Sequence, residues 1–304
     1  MYDPVAANRT ATRSALFSLG FRHIEAVSDL ASLADCIQNR PPDLLLCEVQ
    51  GAEDELCRLI QNLRLGTGGY NPFVVIIVTA WEKSAATVNR VIDSGADDLL
   101  LRPFSASLLD ERIHIHADRR KAFVVLSDYV GPDRRKDPSR PPRIEVFEPP
   151  NSLRMKARDG LSAEQVTLRL DGEIKHAREH VTSRKLKQDA FQMCVLWRLL
   201  QSKDTSGARY EVDYAKLRTV TNGIKSRCAG TEFSQAAGWC DAALGAVKAL
   251  ELGVERDAAL QMLGQSAVKL NQLFSPEKTA AEHLCEIDAT VAIIRAKAQF
   301  AAAS

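Results

Sequence analysis

The stretch that decides the fold covers residues 41–50 and reads PPDLLLCEVQ. Two prolines and an aspartate, which are typical of a turn, precede a continuous apolar run that ends at a single acid, Glu48. A short apolar run without alternation is typical of a strand that is covered on both faces, as the strands of parallel sheets are. The stretch therefore predicts a buried strand that delivers one carboxylate to the edge of a sheet.

Helical and strand-like segments alternate around this stretch over residues 1–120. The apolar, β-branched run PFVVIIVTA at residues 72–80 is the clearest strand, and DDLLLRPF at residues 97–104 is another. Strands that are separated by helices of about 10–15 residues require crossover connections, and these produce a parallel sheet. Residues 1–120 are therefore predicted to form an α/β domain, with amphipathic helices in residues 9–21, 30–40, 54–64, 84–96 and 105–120.

The composition changes after this domain. Residues 121–160 are dense in proline and arginine and lose their periodicity, which predicts an extended linker. Its basic segment GPDRRKDPSRPPR, at residues 131–143, leaves three alternatives open. It is a solvated linker, an arm that packs back on the first domain, or a nucleic-acid contact, which is the least favoured because no aromatic residues alternate with the basic ones.

Helical periodicity then continues from residue 161 to residue 304. Long helices with short loops between them predict an all-α helical bundle in this second domain. The breaks fall at polar or glycine-containing turns, as in SKDTSG at residues 202–207. They leave about five helices, in residues 162–201, 210–228, 233–252, 255–274 and 276–302.

Composition and charge exclude several classes of partner. The formal net charge is +1, so no overall field favours nucleic acid or an anionic membrane as the main partner. No apolar run approaches the ~20 residues of a membrane span, and the start MYDPVAANRT lacks the basic and apolar regions of a secretory signal. The seven cysteines are odd in number, scattered and without a CxxC pair, which is typical of free thiols in a reducing cytoplasm. We therefore expect a cytoplasmic protein.

The residues at the strand ends narrow the class of fold, because doubly wound sheets carry their sites at the carboxyl ends of the strands. These ends hold Asp3, Glu48, Thr79 and Arg102 with Pro103. With their spacing along residues 1–120, they resemble the receiver domain of bacterial two-component response regulators, and the segment DYVGPDRR at residues 128–135 resembles a tail of some of them. The resemblance implies a doubly wound, parallel, five-stranded, flavodoxin-like receiver domain.

The chemistry of that family depends on five kinds of residue. An acidic pair binds Mg²⁺, an aspartate accepts the phosphoryl group, a threonine or serine and a lysine contact it, and an aromatic side chain changes rotamer. Of these positions only Thr79 matches, together with Pro103, which stands where the family has a proline after its lysine. The departures are Pro4 beside Asp3, Glu48 at the acceptor position, Arg102 at the lysine position and Leu99 at the aromatic position.

Each departure has a physical consequence. Glutamate is one methylene longer than aspartate, so Glu48 misplaces both metal contact and in-line attack on phosphorus. The planar guanidinium of Arg102 can hold a carboxylate through two hydrogen bonds, so we expect a permanent ion pair with Glu48. This pair either replaces the transient ion pair of the family or is an ordinary ion pair at a sheet edge. Leu99 cannot act as an aromatic switch. These residues predict a pseudo-receiver that is not an enzyme, uses no cofactor and is not expected to bind Mg²⁺.

The start of the chain departs from the family as well. The family's first strand is central, whereas this chain offers only Met1 and Tyr2 before the acidic position. We expect either that the natural start lies upstream or that the sheet lacks a strand and exposes its neighbours. Neither alternative would restore the acid that Pro4 replaces.

In the helical domain, residues 220–230 read VTNGIKSRCAG. They resemble the His-x-x-Lys-Gly motif of histidine phosphotransfer domains, with Asn222 at the histidine position, a matching Lys225 and Ser226 in place of glycine. Asparagine has no nucleophilic ring nitrogen, so this site could not carry a phosphoryl group. A degenerate phosphotransfer bundle and an unrelated helical bundle both stay open.

Histidines and tryptophans are the other conspicuous side chains of the helical region. His176 and His180 lie four residues apart on one helix face, but a third ligand for Zn²⁺ is not evident, so no metal site is predicted. Trp197 lies among leucines and is expected in the core. Trp239 is expected in the core or, alternatively, at an interface.

Together, these patterns predict a non-catalytic two-component signalling protein that acts as a scaffold or regulator through protein–protein interaction. Its partners would be signalling proteins such as a histidine kinase, a phosphotransfer protein or motility and cell-cycle proteins. A homodimer would use the surface of residues 88–92, 99–101 and 108–115. The alternative is a functional response regulator that still accepts a phosphoryl group and signals through the helical domain.

Overall fold

Six short strands and eleven helices make up the part of the chain that the computed structural model describes. The described residues are 1–66, 71–82, 84–126, 129–135, 146–201 and 214–302. The chain divides into two units, Met1–Val181 and Thr182–Ser304, and the division lies within one long helix. No helix among the described residues combines the length and the apolar character that a membrane crossing requires.

A three-stranded parallel sheet lies at the centre of the first unit. Its strands follow the order β1-β2-β3 and are β1 (Leu44–Glu48), β2 (Val75–Ala80) and β3 (Asp98–Leu101). All residues of β2 are buried, as its continuous apolar run predicted. Beyond β1, Tyr2 forms isolated parallel bridges with Cys47 on one side and Val27 on the other. The parallel sheet is confirmed, with three strands and two single bridges where five strands were expected.

Helices cover both faces of this sheet. They are α1 (Ala6–Ser18), α2 (Leu30–Asn39), α3 (Glu53–Arg64), α4 (Ala85–Asp93) and α5 (Ala106–Asp118). Successive residues of a strand face opposite sides of the sheet. Ile76 and Val78 accordingly join a buried cluster with α2, α3 and α4, whereas Val75 and Ile77 join one with α1 and α5. The α/β class that the sequence predicted is therefore confirmed.

The segment predicted as a linker, residues 121–160, contains regular structure where it is described. An antiparallel sheet in the order β5-β4-β6 is followed by a short helix. The elements are β4 (Phe123–Val125), β5 (Val130–Pro132), β6 (Val146–Phe147) and α6 (Ser152–Ala157). The structure thus differs here from the predicted extended linker, because strands of two or three residues are too short to show an alternating pattern. Residues 136–145 lie outside the described residues.

A buried ion cluster joins this small sheet to the amino ends of the parallel strands. We call Arg64, Asp97 and Arg120 the amino-edge cluster. Arg64 Nη2 lies 2.8 Å from Asp97 Oδ2, and Arg120 Nε lies 2.8 Å from Asp97 Oδ1. Both guanidiniums lie about 5 Å from the centre of the Phe123 ring in β4. Burial raises the pKa of Asp97, but the Arg120 and Arg64 guanidiniums outweigh burial and hold that pKa below its ordinary value.

The basic tail of the predicted linker packs against this end of the sheet. Arg134 Nη2 donates to the carbonyl oxygen of Ala96 at 2.6 Å. Gly95 has a φ of +88° and packs so closely on β5 that a Cβ there would lie 2.4 Å from the carbonyl oxygen of Val130. Among the three alternatives for the basic segment, residues 131–135 are therefore an arm that packs back on the first domain. Residues 136–143 lie outside the described residues.

The second unit is all-α in its described residues. Its helices are α7 (Ala163–Gln201), which begins in the first unit, α8 (Tyr214–Cys228), α9 (Ala236–Glu251), α10 (Arg256–Phe274) and α11 (Ala280–Ala302). Helix α9 packs against α8 and α10, and α10 packs against α11. One buried cluster draws residues from all five helices. The five predicted helices are observed, and residues 210–213 of the second prediction lie outside the described residues.

Candidate functional site

Four polar side chains meet at the carboxyl ends of the parallel strands. Glu48 is the last residue of β1 and lies in register with Thr79 of β2. Arg102 directly follows β3. Asp3 follows Tyr2, which bridges to β1. The sequence predicted this meeting, because the carboxyl ends of parallel strands share one edge of a sheet.

Arg102 binds two carboxylates at once. Its Nε donates to Glu48 Oε2 at 2.8 Å, and its Nη2 donates to Asp3 Oδ2 at 3.0 Å and to Thr12 Oγ1 at 3.2 Å. We call Asp3, Glu48 and Arg102 the carboxyl-edge cluster. The expected ion pair between Glu48 and Arg102 is observed, but the guanidinium does not hold Glu48 through two bonds. It divides its donors between Glu48 and Asp3, which the sequence did not predict.

Every carboxylate oxygen of this cluster accepts a hydrogen bond from the protein. Thr79 Oγ1 also donates to Glu48 Oε2 at 2.8 Å, and the N–H of Gln50 donates to Glu48 Oε1 at 3.1 Å. The N–H of Val5 donates to Asp3 Oδ1 at 2.8 Å. The side chains are nearly inaccessible, with 0% of Asp3, 2% of Glu48 and 8% of Arg102 exposed. Two carboxylates and one guanidinium give the cluster a formal charge of −1.

Helix α1 contributes two residues that the sequence reasoning missed. Arg9 Nη1 donates to the carbonyl oxygens of Asp3 at 2.7 Å and Pro4 at 3.0 Å, and Thr12 accepts from Arg102. Arg9 and Thr12 are three positions apart and therefore lie on one face of the helix. That spacing was the available signal, because α1 starts only three residues after Asp3.

The other predicted positions make no hydrogen bond to the cluster through their side chains. Pro4 and Pro103 are exposed, and the peptide bond between Arg102 and Pro103 is cis. Leu99 is partly buried and packs on the core beneath α2, α3 and α4. Trp81, which the sequence reasoning did not single out, follows β2 at this same edge and exposes 46% of its surface.

The chemistry available at this edge is limited by its bonding. Mg²⁺ takes hard oxygen ligands in near-octahedral geometry, and at this edge it would compete with Arg102 and with backbone N–H groups for the carboxylate oxygens. Cys47 lies beside Glu48 in β1, but burial raises the pKa of its thiol to about 12, so it stays a protonated, inert thiol near neutral pH. The arrangement favours a fixed network of charges over a site with open ligand positions.

The phosphotransfer-like positions lie on α8 of the second unit. Asn222 is exposed, and Lys225 Nζ donates to Asp241 Oδ1 of α9 at 2.5 Å. Between them, Gly223 leaves room for the guanidinium of Arg227, since a Cβ there would lie 2.8 Å from Arg227 Nη1. The motif therefore places its amide side chain at the surface, while its lysine forms a salt bridge between helices.

A buried ion pair lies beneath this motif. Lys185 Nζ donates to Asp189 Oδ1 at 2.8 Å within α7, and Arg227 Nη1 of α8 donates to Asp189 Oδ2 at 3.1 Å. Asp189 is 2% exposed. The contact between Asp189 and Arg227 ties α7 to α8. Neither contact was predicted from the sequence, because charged residues on helices are usually solvated.

His176 and His180 do not form a metal centre. The ring centroid of His180 lies 5.1 Å from that of Phe147 in β6, and burial lowers the pKa of His180. His176 is exposed. Across the described parts of the chain, no group of three or more His, Cys, Asp or Glu side chains is arranged to hold a metal ion.

The first unit is an α/β unit with a parallel sheet whose carboxyl edge is closed by an arginine between two acids, and the second is all-α where it is described. Comparisons of the chain with protein-family models, with curated proteins and with solved structures found no match.

Proposed function

We propose that this chain is a non-catalytic two-component signalling protein, in which a pseudo-receiver and a helical domain act as a scaffold or regulator by binding other proteins. The observation that carries the proposal is the bridge from Arg102 to Asp3 and Glu48. A catalytic receiver needs such carboxylates open toward Mg²⁺ and the phosphoryl group. In this chain a permanent cation and backbone N–H groups occupy their oxygens.

The order of segments across the sheet supports the receiver-like part of this proposal. Val27, Tyr2, β1, β2 and β3 follow one another across the sheet. Flavodoxin-like folds have the strand order 2-1-3-4-5. That order results when Tyr2 and Val27 are counted as a first and a second strand that are each reduced to a single bridge. The five-stranded, flavodoxin-like assignment is therefore part of the proposal.

A fixed charge replaces a transient one in this mechanism. Glu48 supplies a permanent charge of about −1 where a phosphoryl group would add about −1.5 to −2. Thr79 donates to Glu48, and Arg102 pairs with it, so the two side chains that would respond to a phosphoryl group are already engaged. The unit is thereby held in one arrangement, and it signals through the partners that it binds.

The helical domain supplies the second binding surface. Asn222 is exposed at the position of a phosphorylated histidine, so a phosphotransfer-like surface could be recognised without transferring phosphate. The partners would be cytoplasmic signalling proteins, namely a histidine kinase, a phosphotransfer protein or motility and cell-cycle proteins. A homodimer of the receiver-like unit would be a further form of the scaffold.

Phosphorylation chemistry tests the proposal directly. The full chain is incubated with acetyl phosphate and Mg²⁺, and its intact mass is measured. We expect no species heavier by about 80 Da, the mass that a phosphoryl group adds, because neither carboxylate of the cluster is free to attack the phosphorus of acetyl phosphate and displace acetate. The matched variant combines Pro4→Asp, Glu48→Asp and Arg102→Lys, which returns the residues typical of the family. A heavier species in the variant alone would show that these side chains account for the loss.

The alternative function has its own outcome in this experiment. A stoichiometric phosphorylated species of the natural chain that disappears in Glu48→Gln would establish a functional response regulator and overturn the pseudo-receiver. If the triple variant stays unphosphorylated, the cause of the lost phosphorylation lies elsewhere in the unit. One example is the arrangement of the bridges at Tyr2 and of the α1 side chains next to the cluster.

A further inference from the structure

A groove of about 1180 Å³ crosses the second unit, and the proposed receiver-like site does not involve it. Side chains of α7, α9, α10 and α11 line it. The phosphotransfer-like residues Asn222 and Lys225 on α8 are not among its lining residues. The groove therefore raises a separate question, which is what kind of molecule its walls would bind.

The floor of the groove is a rigid aromatic surface. The ring of Trp197 lies on Gly264, where a Cβ would come within 2.3 Å of it. Its Nε1 donates to the carbonyl oxygen of Leu260 at 2.9 Å, which fixes the orientation of the ring. Glycine is unfavourable inside a helix. Its place in α10 is explained by the close approach of the indole, which shapes an apolar floor.

The wall carries a second tryptophan. Trp239 of α9 lines the groove and exposes 37% of its surface. Tryptophan is enriched among the residues that dominate binding energy in protein interfaces, because it buries a large area at a small cost in side-chain entropy. The interface alternative for Trp239 therefore fits its position better than a place in the core.

The groove is positively charged. Arg198 pairs with Asp288, with Nε at 2.8 Å from Oδ1. The charged lining residues are Arg198, Arg256, Lys269 and Arg295 on the positive side and Asp257 and Asp288 on the negative side. Their formal sum is +2, from four cations and two carboxylates, against +1 for the whole chain. Such a concentration of positive charge favours an acidic partner.

The length of the groove fits a helix. On α10 its lining extends from Arg256 to Gln272, which is a span of about 24 Å at the helical rise. We propose that this groove binds an amphipathic helix of a partner protein, whose apolar face packs on Trp197 and Trp239 and whose flanks carry aspartate or glutamate. Amphipathic helices commonly bind in grooves of this kind through apolar anchors that are three or four residues apart. The proposal is independent of the proposed function of the first unit.

Tryptophan fluorescence tests the proposal on the full chain. The Trp81→Phe variant leaves Trp197 and Trp239, which both line the groove, as the reporters. The probe is a synthetic helical peptide of about 18 residues, with leucines at i, i+3, i+4 and i+7 spacing and glutamates on both flanks. The matched peptide carries lysines in place of the glutamates. We expect a saturable fluorescence change with the acidic peptide, an affinity at least about tenfold lower for the basic one, and weaker binding at high salt.

Charge reversal locates the binding site. The double variant Arg256→Glu and Lys269→Glu should lower the affinity for the acidic peptide by about tenfold or more and improve binding of the basic one. The control is Lys248→Glu, an exposed residue of α9 that does not line the groove, and it should leave both affinities within about twofold. Circular dichroism and a thermal melt verify that each variant is folded. Trp239→Ala should also lower the affinity for the acidic peptide, as measured by the fluorescence anisotropy of a labelled peptide.

Three outcomes would overturn the proposal. The first is an acidic peptide that does not saturate. The second is equal binding of the acidic and basic peptides, or an equal loss in the Lys248→Glu control. The third is a saturable response to ATP, used as a small anionic probe, that depends on Trp239 when the acidic peptide gives none, since the groove would then be a site for a small anion.

Discussion

Two buried ion clusters lie at opposite ends of the same parallel sheet. The amino-edge cluster places two guanidiniums around one carboxylate, whereas the carboxyl-edge cluster places one guanidinium between two carboxylates. No side chain of either cluster is more than 8% exposed. The two clusters therefore have the same burial and opposite formal charges of +1 and −1.

The difference lies in what satisfies the excess charge. At the amino edge the arginines also donate to backbone carbonyls, as Arg64 does to Gly95, Pro72 and Val74. These bonds hold the segments that precede β2 and β3 in place, which is a structural role. At the carboxyl edge each of the two carboxylates accepts one backbone N–H group, at the end of the sheet where doubly wound folds bind ligands. A buried arginine is therefore interpreted as structural at the amino edge of the sheet, and as part of a candidate site at the carboxyl edge.

Removing the central acid of the amino-edge cluster should have the largest effect. Asp97→Asn leaves two buried guanidiniums without a carboxylate, and loss of one partner of a buried ion pair typically costs about 3–5 kcal/mol. We expect a loss of this size in the free energy of unfolding of the first unit. Hydrogen–deuterium exchange of the β2 amides in increasing urea measures it, because β2 is the buried centre of that unit.

The control for this prediction is a surface pair. Asp133 pairs with Arg135, and both are partly exposed, so Asp133→Asn should cost no more than about 1 kcal/mol. The pKa of Asp97 is held below its unfolded value of about 3.9, so its contribution is present above that pH and is lost as the pH falls through the folded pKa. The stability difference between the natural chain and Asp97→Asn should therefore shrink below about pH 4. If Asp97→Asn and Asp133→Asn lower the free energy of unfolding equally, the amino-edge cluster has no special structural role.

Removing the cation of the carboxyl-edge cluster should have a smaller effect. Arg102→Met leaves Asp3 and Glu48 buried beside each other without their shared cation, and we expect a loss of about 3 kcal/mol. The loss is smaller than at Asp97 because each carboxylate keeps a backbone N–H donor. Adding Glu48→Gln to Arg102→Met should restore about 1 kcal/mol or more, measured by the same exchange experiment. If the double variant is less stable than Arg102→Met, repulsion between the acids is not the cause.

The packing of the tail on the amino edge can be broken without replacing a charged residue, at a position where a new Cβ would also lie 3.1 Å from Arg64 Cγ. Gly95→Ala should cost about 2–3 kcal/mol, because its φ of +88° disfavours a side chain and the new Cβ would meet the Val130 carbonyl. Gly20→Ala is the matched control, since Gly20 has a φ of +98° and no atom within 4 Å of its Cβ position. It should cost about 1 kcal/mol, from backbone conformation alone. Equal costs in urea unfolding would show that the tail does not stabilise this edge.

The sequence predicted the elements more fully than it predicted these clusters. The apolar runs at residues 43–49 and 72–80 and the five helical segments of the second domain were sufficient for β1, β2 and α7–α11. The pair of Glu48 and Arg102 followed from the shared edge of parallel strands. The bond from Arg102 to Asp3 did not, because it depends on how a single bridge at Tyr2 places the start of the chain. The amino-edge cluster was missed because an isolated arginine in a sequence is normally solvated.

The smallest effect is expected from the neutral donor of the carboxyl edge. Thr79→Val keeps the shape of the side chain but removes the hydroxyl that donates to Glu48 Oε2, while Arg102 still donates to the same oxygen. We therefore expect a cost of about 1 kcal/mol, typical of one hydrogen bond. The control is Thr10→Val on the exposed face of α1, which should change stability by no more than about 0.5 kcal/mol. A cost for Thr79→Val as large as that of Arg102→Met would mean that neutral hydrogen bonds, and not the shared cation, hold the two acids together, and the contrast between the two edges of the sheet would fail.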